Sequence, residues 1–288
     1  MKRVILCRAF GDFIIALNAA LHSKQPHQFQ LVASSHLKPL YDAIPTNYLN
    51  AAVSIQFVEW GIKGSLLRAF TNRFFFHPNT IHELLSIKRW IKKQAPNHEQ
   101  WVLEQNKRKW LIELATQTKF DCIASQGNIY EAYQDFFDAK ALTIASPTKQ
   151  SLNVLILPTS RQKFKDIPNN VVADLIESLP LQGHAVKVAY FKAIPDPVVK
   201  PFLSAGDNPN DKILAYHSFT ELIQLILAAD YIFAPDSLTA HLAYFFKKPH
   251  TILHSPRAIP QFLTPFVIAN HCFYSFENSS SFVNIAHG

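Results

Sequence analysis

The sequence predicts an α/β protein built from two parallel-sheet domains. Strands and amphipathic helices alternate through both halves of the chain, which is the pattern of parallel sheets covered by helices. The 288 residues suffice for two domains of ordinary size, and 48% hydrophobic content with 17% charged residues supports a sizeable core. A polar stretch at residues 146–151 separates an N-terminal domain at residues 1–147 from a C-terminal domain at residues 148–288.

The first half opens with a short apolar strand and a turn at Gly11 and Asp12. Apolar residues then recur at helical spacing, so a helix follows the turn directly. Farther on, residues 99–116 are predicted as one helix with Trp110 and Leu114 on its apolar side. The predicted strands are residues 4–7, 29–33, 53–58 and 120–124, and the predicted helices are residues 13–21, 82–93 and 99–116.

The second half repeats the alternation. Ser218 and Glu221 have the spacing of a capping box, which predicts a helix start. Lys247 and Lys248 close a later helix, where cations suit the negative end of its dipole. Residues 195–210, rich in Pro, Gly and Asp, predict a surface excursion. The predicted strands are residues 152–157, 185–190, 231–234 and 251–253, and the predicted helices are residues 171–179, 219–229 and 238–246.

Several classes of protein are excluded by composition. No apolar run reaches the ~18–20 residues of a membrane span, since Asp230 and Pro235 interrupt the best candidate. The apolar part of the N-terminus is too short for a signal peptide. Cys7, Cys122 and Cys272 lack metal-ligand spacing, and three cysteines predict buried free thiols in a reducing, cytoplasmic compartment. The 7 glycines form neither a dinucleotide-binding GxGxxG nor a Walker A loop, and no nucleic-acid-binding signature occurs.

The net charge of +7 is concentrated in one segment. Residues 63–109 hold ten basic and three acidic residues, whereas residues 151–288 hold ten of each. Within this segment, a helix at residues 82–93 places apolar residues on one stripe and most of its bases off it. This pattern suits an anionic partner such as a membrane surface or a phosphorylated glycolipid, and equally suits a solvated face. The four bases of the helix are Lys88, Arg89, Lys92 and Lys93.

The most informative stretch is residues 219–249, where a strand ends at Pro235 and a helix begins near Leu238. Ligands of open parallel sheets bind outside the carboxyl ends of the strands, and a helix N-terminus there attracts phosphate. Asp236, Ser237 and His241 lie at this junction. The alternatives are an N-cap for Asp236 or Ser237 and a partly buried structural histidine for His241.

This stretch resembles the nucleotide-sugar-binding signature of glycosyltransferase family 9, the ADP-heptose:lipopolysaccharide heptosyltransferases and their relatives. The family usually has glycine where this chain has Leu238, and the acidic residue that follows the next strand in the family has no clear counterpart at residues 190–192. The matching residues are Phe219, Thr220, Glu221, Leu222, Ala229, Asp230, Asp236, Ser237, His241, Leu242, Ala243, Lys248 and Pro249.

Two further segments are similar to the family. The stretch from Arg8 to Asp12 resembles the opening loop, and the resemblance implies that Asp12 is the catalytic base; an N-cap role for Asp12 is the alternative. Residues 157–168 resemble the phosphate loop, with Lys165, or alternatively Lys163, as its lysine. Thr159 and Ser160 are the small hydroxyl residues of that loop.

The resemblance implies a GT-B arrangement, in which two Rossmann-like domains face each other across a cleft. It implies metal-independent, inverting transfer of a heptose-like sugar from a nucleoside diphospho-sugar, typically an ADP-sugar, to a lipopolysaccharide-type or other glycan acceptor. The C-terminal domain then binds the donor, without a separate cofactor. The N-terminal domain binds a glycan or lipid-linked acceptor, with Arg8 and the basic helix facing the acceptor or a membrane. A non-catalytic nucleotide- or glycan-binding relative of the same fold is the alternative.

Overall fold

The computed structural model describes residues 1–6, 9–60, 78–94, 100–104, 109–123, 127–191, 213–256 and 260–276. These residues form two compact units, Met1–Lys140 and Ala141–Gly288, which divide slightly before the polar stretch at residues 146–151. Arg8, Cys7 and the predicted excursion at residues 195–210 lie outside the described residues, as does the part of the basic segment at residues 63–77. None of the described helices combines the length and the apolar character needed to cross a bilayer.

The first unit contains a five-stranded sheet in the order β3-β2-β1-β4-β5, in which all the neighbouring strands are parallel. Its strands are β1 (Lys2–Leu6), β2 (Phe29–Ser34), β3 (Ser54–Val58), β4 (Gln100–Leu103) and β5 (Asp121–Cys122). Its helices are α1 (Phe10–Leu21), α2 (Lys38–Asp42), α3 (Pro78–Gln94), α4 (Lys109–Thr116) and α5 (Ile129–Phe137).

Helices cover both faces of this sheet, as parallel strands require. On one face, α1 packs against α5, and α1 is buried from Asp12 to Ala20 because almost every residue in that run is apolar. On the other face, α3 and α4 pack against each other and share one core cluster with the strands. That cluster includes Leu84, Ile87 and Ile91 of α3, Ile112 of α4, and Ile5, Val32, Val58 and Leu103 of the sheet.

The sequence prediction was wrong for residues 99–116, because the structure forms the strand β4 before the helix α4. The four residues of β4 pair with β1 at the centre of the sheet, and Val102 and Leu103 are buried. On α4 the buried side is formed by Ile112 and Thr116. Trp110 and Leu114, predicted to face the core, are 62% and 72% exposed.

The second unit contains a six-stranded parallel sheet in the order β11-β10-β9-β6-β7-β8. Its strands are β6 (Asn153–Ile156), β7 (Ala185–Phe191), β8 (Ile213–Tyr216), β9 (Tyr231–Pro235), β10 (His250–His254) and β11 (Phe273–Ser275). Its helices are α6 (Asn169–Leu181), α7 (Phe219–Ala228), α8 (Leu238–Phe245) and α9 (Pro265–Ala269).

The strand order reverses between β6 and β9. The chain runs from β6 outward through β7 and β8, then returns to the other side of β6 with β9. The crevice beside such a reversal, at the carboxyl ends of the strands, is where open α/β sheets bind ligands. The loop after β6 and the start of α8 after β9 therefore lie at the predicted binding edge of the second unit.

The capping box predicted in the second unit agrees with the structure, whereas the role predicted for Lys248 does not. The Ser218 side chain caps α7 by accepting from the Glu221 amide, and the Glu221 carboxylate accepts in turn from the His217 amide. Lys248 Nζ donates to the carbonyls of Leu227 and Ala229 at the end of α7, rather than to the end of α8, where the sequence predicted it. The two described cysteines, Cys122 in the first unit and Cys272 in the second, are free thiols, but they are half-buried rather than buried as predicted.

Candidate functional site

The centre of the candidate site is an ion pair between Lys165 and Asp236, which lie after the adjacent strands β6 and β9. Lys165 Nζ is 2.7 Å from Asp236 Oδ2 and donates a second hydrogen bond to the Asp236 carbonyl at 3.0 Å. The Asp236 side chain is 2% exposed, whereas that of Lys165 is 20% exposed. The ammonium therefore reaches the surface at the strand-order reversal while its partner carboxylate is buried.

Asp236 retains hydrogen-bonding capacity in this arrangement. Its second oxygen, Oδ1, is buried and has no hydrogen-bond partner among the residues that the structure describes. A buried carboxylate oxygen without a partner costs free energy, and such a cost is commonly tolerated where a ligand completes the site. The Lys165 ammonium also lies 5.8 Å from the centre of the Phe262 ring, near the end of the range for a cation–π contact.

The loop at residues 157–168 is fixed by its own backbone. The Asp166 carboxylate accepts from the Ser160 amide at 2.6 Å, and the Ile167 amide donates to the Pro158 carbonyl at 2.9 Å. Burial raises the pKa of Asp166, and the Ser160 amide opposes that rise. The Thr159 side chain hydrogen-bonds to Tyr216, at the end of β8. The loop is therefore a preformed turn.

The two candidate lysines of this loop differ in their surroundings. Lys165 is half-buried against Asp236, whereas Lys163 is exposed. The sequence left the choice between them open because both lie in the same short polar stretch. The structure brings Lys165, and not Lys163, together with the residues that follow β9.

The start of α8 leaves its first turn available to a ligand. Ser237 occupies the N-cap position with extended backbone but makes no side-chain capping bond within the described structure. Its hydroxyl instead shares a 2.9 Å hydrogen bond with the Thr239 hydroxyl. Leu238 is half-buried at the first helical position. The helix dipole at this end favours an anion.

His241 lies one turn into α8 and is 5% exposed. It is close enough to His250 to lower the pKa of that residue electrostatically, although burial is the larger cause. Together these causes lower the pKa of His250 to about 4, so its imidazole is neutral near pH 7. Its Nδ1 therefore donates to the Lys248 carbonyl at 2.8 Å, and Nε2 accepts from Thr264 at 2.7 Å.

The corresponding edge of the first unit carries acidic groups. Helix α1 begins at Phe10, earlier than predicted, so Gly11 and Asp12 belong to its first turn rather than to a preceding turn. The N-cap residue is Ala9, so the N-cap role considered for Asp12 is wrong. Asp12 is 8% exposed and lies where the helix dipole stabilises a carboxylate.

Sequence reasoning missed Glu104, because residues 99–116 were predicted as one helix. Glu104 follows β4 and is 2% exposed, and its amide donates to the Ile5 carbonyl of β1 at 3.2 Å. Asp12 and Glu104 therefore follow the two adjacent strands at which the order of the first sheet reverses. If residues 100–103 had been predicted as a strand, Glu104 would have been placed at its carboxyl end, as a second carboxylate at this edge of the sheet.

The basic helix α3 packs its apolar stripe into the core of the first unit. Leu84, Ile87 and Ile91 are buried, and Trp90 contacts Trp60 and Trp101. The apolar stripe is therefore unavailable to a membrane. The bases remain on the outside, with Arg89, Lys92 and Lys93 exposed and Lys88 half-buried.

Solved structures share this architecture along nearly the whole chain. A glycosyltransferase family 9 protein from Veillonella parvula matches with a TM-score of 0.60 at 13% identity, covering 99% of this chain and 89% of that one. E. coli heptosyltransferase WaaC with ADP matches with a TM-score of 0.55 at 13% identity, covering 96% of this chain and 92% of that one. E. coli ADP-heptose lps heptosyltransferase II matches with a TM-score of 0.54 at 14% identity, covering 95% of this chain and 89% of that one. The fold class is therefore that of the two-domain, GT-B-like glycosyltransferases, as predicted.

A family model gives the assignment at the level of sequence. The model of glycosyltransferase family 9 (heptosyltransferase) matches residues 89–280, which is about two thirds of the chain. The chain belongs to glycosyltransferase family 9. No curated protein sequence matches it. The matched region contains the Lys165–Asp236 pair and α8, whereas Asp12 lies before it.

Proposed function

We propose that the protein transfers a heptose-like sugar from an ADP-sugar to a lipopolysaccharide-type or other glycan acceptor, with inversion and without a bound metal. The observation that carries the proposal is the Lys165–Asp236 pair beside the first turn of α8, at the strand-order reversal of the second sheet. A partly exposed lysine side chain next to helix amides is suited to the diphosphate of a nucleoside diphospho-sugar. ADP and ADP-2-deoxy-2-fluoro heptose are bound by the E. coli WaaC structures that share the fold.

Each residue of the donor site has a role in this proposal. Lys165 and the first amides of α8 contact the diphosphate, and Thr159 and Ser160 lie beside it in the preformed loop. Ser237 and His241 donate to phosphate or sugar oxygens, and Asp236 orients Lys165. Lys163 contributes through charge alone, because it is exposed. Leu238 limits how closely the phosphate approaches the helix start.

Asp12 is the general base in the proposed reaction. The acceptor hydroxyl oxygen forms a bond to the anomeric carbon of the donor sugar, and the bond from that carbon to the diphosphate oxygen breaks. Asp12 takes the hydroxyl proton, and the departing nucleoside diphosphate keeps the electron pair. Lys165 and the helix amides stabilise the negative charge that develops on the leaving group, a role that a metal ion plays in other transferases. No described group of three His, Cys, Asp or Glu side chains has the arrangement of a metal site.

The acceptor is assigned to the first unit. Exposed bases on α3 give this unit a surface that suits an anionic glycan or lipid-linked acceptor. We expect the protein to act in the cytoplasm, where free thiols such as those of Cys122 and Cys272 are stable.

Calorimetry with ADP, UDP and GDP tests the donor site, followed by transfer assays with ADP-sugars. Tight binding of ADP and sugar transfer are the expected results. A second candidate is a non-catalytic relative that binds nucleotide or glycan. The observation that favours it is Leu238, which is half-buried at the helix start and restricts the approach of a phosphate. Nucleotide binding without transfer to lipopolysaccharide-type acceptors would support that candidate, and failure to bind any of the three nucleotides would contradict both.

A further inference from the structure

The outward side of α3 and α4 carries large apolar residues among bases. On α4, Trp110 is 62% exposed and Leu114 is 72% exposed, and their spacing places them on one side of the helix. On α3, Leu85 is 42% exposed, and Arg89, Lys92 and Lys93 are exposed. Here these six residues are called the α3–α4 surface.

The two helices present this surface in one direction. Leu84, Ile87 and Ile91 of α3 and Ile112 of α4 enter the same core cluster with the strands. The two helices also pack against each other. Their opposite sides therefore form the outer layer on one face of the sheet, and this layer carries both the apolar pair of α4 and the exposed bases of α3.

The four tryptophans show how unusual this exposure is. Trp60 is 2% exposed, and Trp90 and Trp101 are half-buried in a chain of edge-to-face ring contacts, with centroids 6.0 Å and 5.6 Å apart. Trp110 alone of the four is mainly exposed to solvent. Burying such a side chain is favourable, so an exposed Trp–Leu pair beside cations indicates a surface that docks on something.

Charge identifies the partner. Residues 78–94 contain four bases, Lys88, Arg89, Lys92 and Lys93, against the single acid Glu83. On α4 the carboxylate of Glu113 is engaged by Lys109 at 3.4 Å and by the Phe120 amide at 2.8 Å. Tryptophan and leucine between lysines and arginines are typical of helices that lie in the headgroup region of an anionic bilayer.

We propose that the α3–α4 surface binds anionic phospholipid membranes, with Trp110 and Leu114 entering the headgroup region and the bases of α3 contacting lipid phosphates. The apolar side chains that enter the bilayer belong to α4, since the apolar stripe of α3 is in the core. The proposal does not depend on the proposed glycosyl transfer, because binding to lipid requires neither donor nor acceptor.

Co-sedimentation of the full chain with vesicles tests the charge component. Vesicles of phosphatidylcholine with phosphatidylglycerol are compared with phosphatidylcholine alone across a salt series. Changing Arg89, Lys92 and Lys93 together to Gln should lower the affinity for anionic vesicles on the order of 100-fold at low salt, since each base contributes about fivefold. The matched control changes three exposed lysines elsewhere, Lys140, Lys187 and Lys247, and should bind like the unchanged protein.

The apolar component has its own pair of variants. Changing Trp110 and Leu114 to Ala should lower vesicle affinity about tenfold or more. The control changes Leu181 and Ile268, which are 88% and 41% exposed on the second unit, and should have no effect. All four side chains are exposed, and thermal unfolding verifies that the variants fold.

Tryptophan fluorescence reports the contact directly. Anionic vesicles should shift the emission to shorter wavelength, and Trp110→Phe should abolish the shift while keeping the binding. Equal vesicle binding by the surface and control variants, binding independent of lipid charge, or an unchanged emission spectrum would overturn the proposal. Loss of self-association rather than of vesicle binding in the Trp110 and Leu114 variant would also overturn it, by indicating a second copy of the chain as the partner.

Discussion

The two sheets place different chemistry at equivalent positions. In both units the strand order reverses beside the first strand, and an acid follows a strand at that reversal. In the second unit that acid, Asp236, is held by the Lys165 ammonium at 2.7 Å. In the first unit, Asp12 lies in the first turn of α1, and Glu104 follows the neighbouring strand. The Asp236 carboxylate is bound by a lysine, whereas the Asp12 carboxylate in the first turn of α1 is the proton acceptor in our proposal.

The largest expected effect is on sugar transfer, and it comes from changing the acid of the first unit. Asp12→Asn should lower sugar transfer by about two to four orders of magnitude, the usual contribution of a general base, and leave ADP affinity unchanged. Turnover and calorimetry are measured on the same preparation. Glu131→Gln is the matched control, because Glu131 is an exposed acid at the same first-turn position of α5. Near-normal transfer by the Asp12 variant would remove it as the base.

The second prediction concerns acid stability, which should differ between the units. Burial lowers the pKa of His250 to about 4, so the unfolded chain binds more protons than the folded one between that value and about 6.5. Stability is therefore full above pH 6.5 and decreases as the pH falls toward 4, by roughly 3 kcal/mol at most. In the first unit the described histidines, His22, His27, His36 and His82, are exposed or half-buried.

Urea unfolding at a series of pH values measures this difference. His250→Gln should flatten the pH dependence of the free energy of unfolding, whereas His27→Gln, at an exposed position, should not. A pH profile that is the same in the His250 variant and in the unchanged protein would contradict the assignment of a neutral buried imidazole.

The third prediction tests the proposed contact of Lys165 with the diphosphate. Lys165→Met should weaken ADP binding by about 1.5–3 kcal/mol, the range for hydrogen bonds to charged groups. Lys163→Met, two residues away and exposed, should change it much less. Because the single change leaves Asp236 buried without its cation, Lys165→Met combined with Asp236→Asn separates loss of binding from loss of stability. Equal ADP affinities for the two lysine variants would contradict the assignment.

The smallest expected effect concerns the first residue of α8. Leu238→Gly should open the helix start to a phosphate and strengthen ADP binding about two- to tenfold, the value of one additional net hydrogen bond. Thermal unfolding accompanies the calorimetry, because glycine also lowers helix stability. Unchanged or weaker ADP binding in a folded variant would show that Leu238 does not limit access to the amides.

The sequence predicted the alternation of elements well where local signals were strong. The capping box at Ser218 and the apolar runs of β1, β2 and β9 were read correctly because their chemistry is local. Strand β4 was missed because its three apolar residues, Trp101, Val102 and Leu103, cannot be distinguished from part of a helix by periodicity alone. Trp110 and Leu114 were assigned to the core for the same reason, since apolar spacing indicates a shared side without indicating which side is covered.

The sequence predicted the residues of the candidate site individually, but not the ion pair between Lys165 and Asp236. Lys165 and Asp236 each follow a predicted strand, so the sequence placed both at carboxyl ends. They are separated by 71 residues, and only the adjacency of β6 and β9 brings them together. The choice between Lys165 and Lys163 depended on that adjacency. The roles of these residues in transfer remain predictions.

The Lys165–Asp236 pair also bears on how fast a product can leave. A lysine with a resident carboxylate partner exchanges one anion for another when a diphosphate arrives, so the net gain in attraction is smaller than for a solitary lysine. The Asp236 carboxylate therefore competes with the diphosphate for the Lys165 ammonium. In the proposed reaction, the Asp236 carboxylate would recover the Lys165 ammonium once the sugar has been transferred, and this would shorten the residence time of the nucleoside diphosphate.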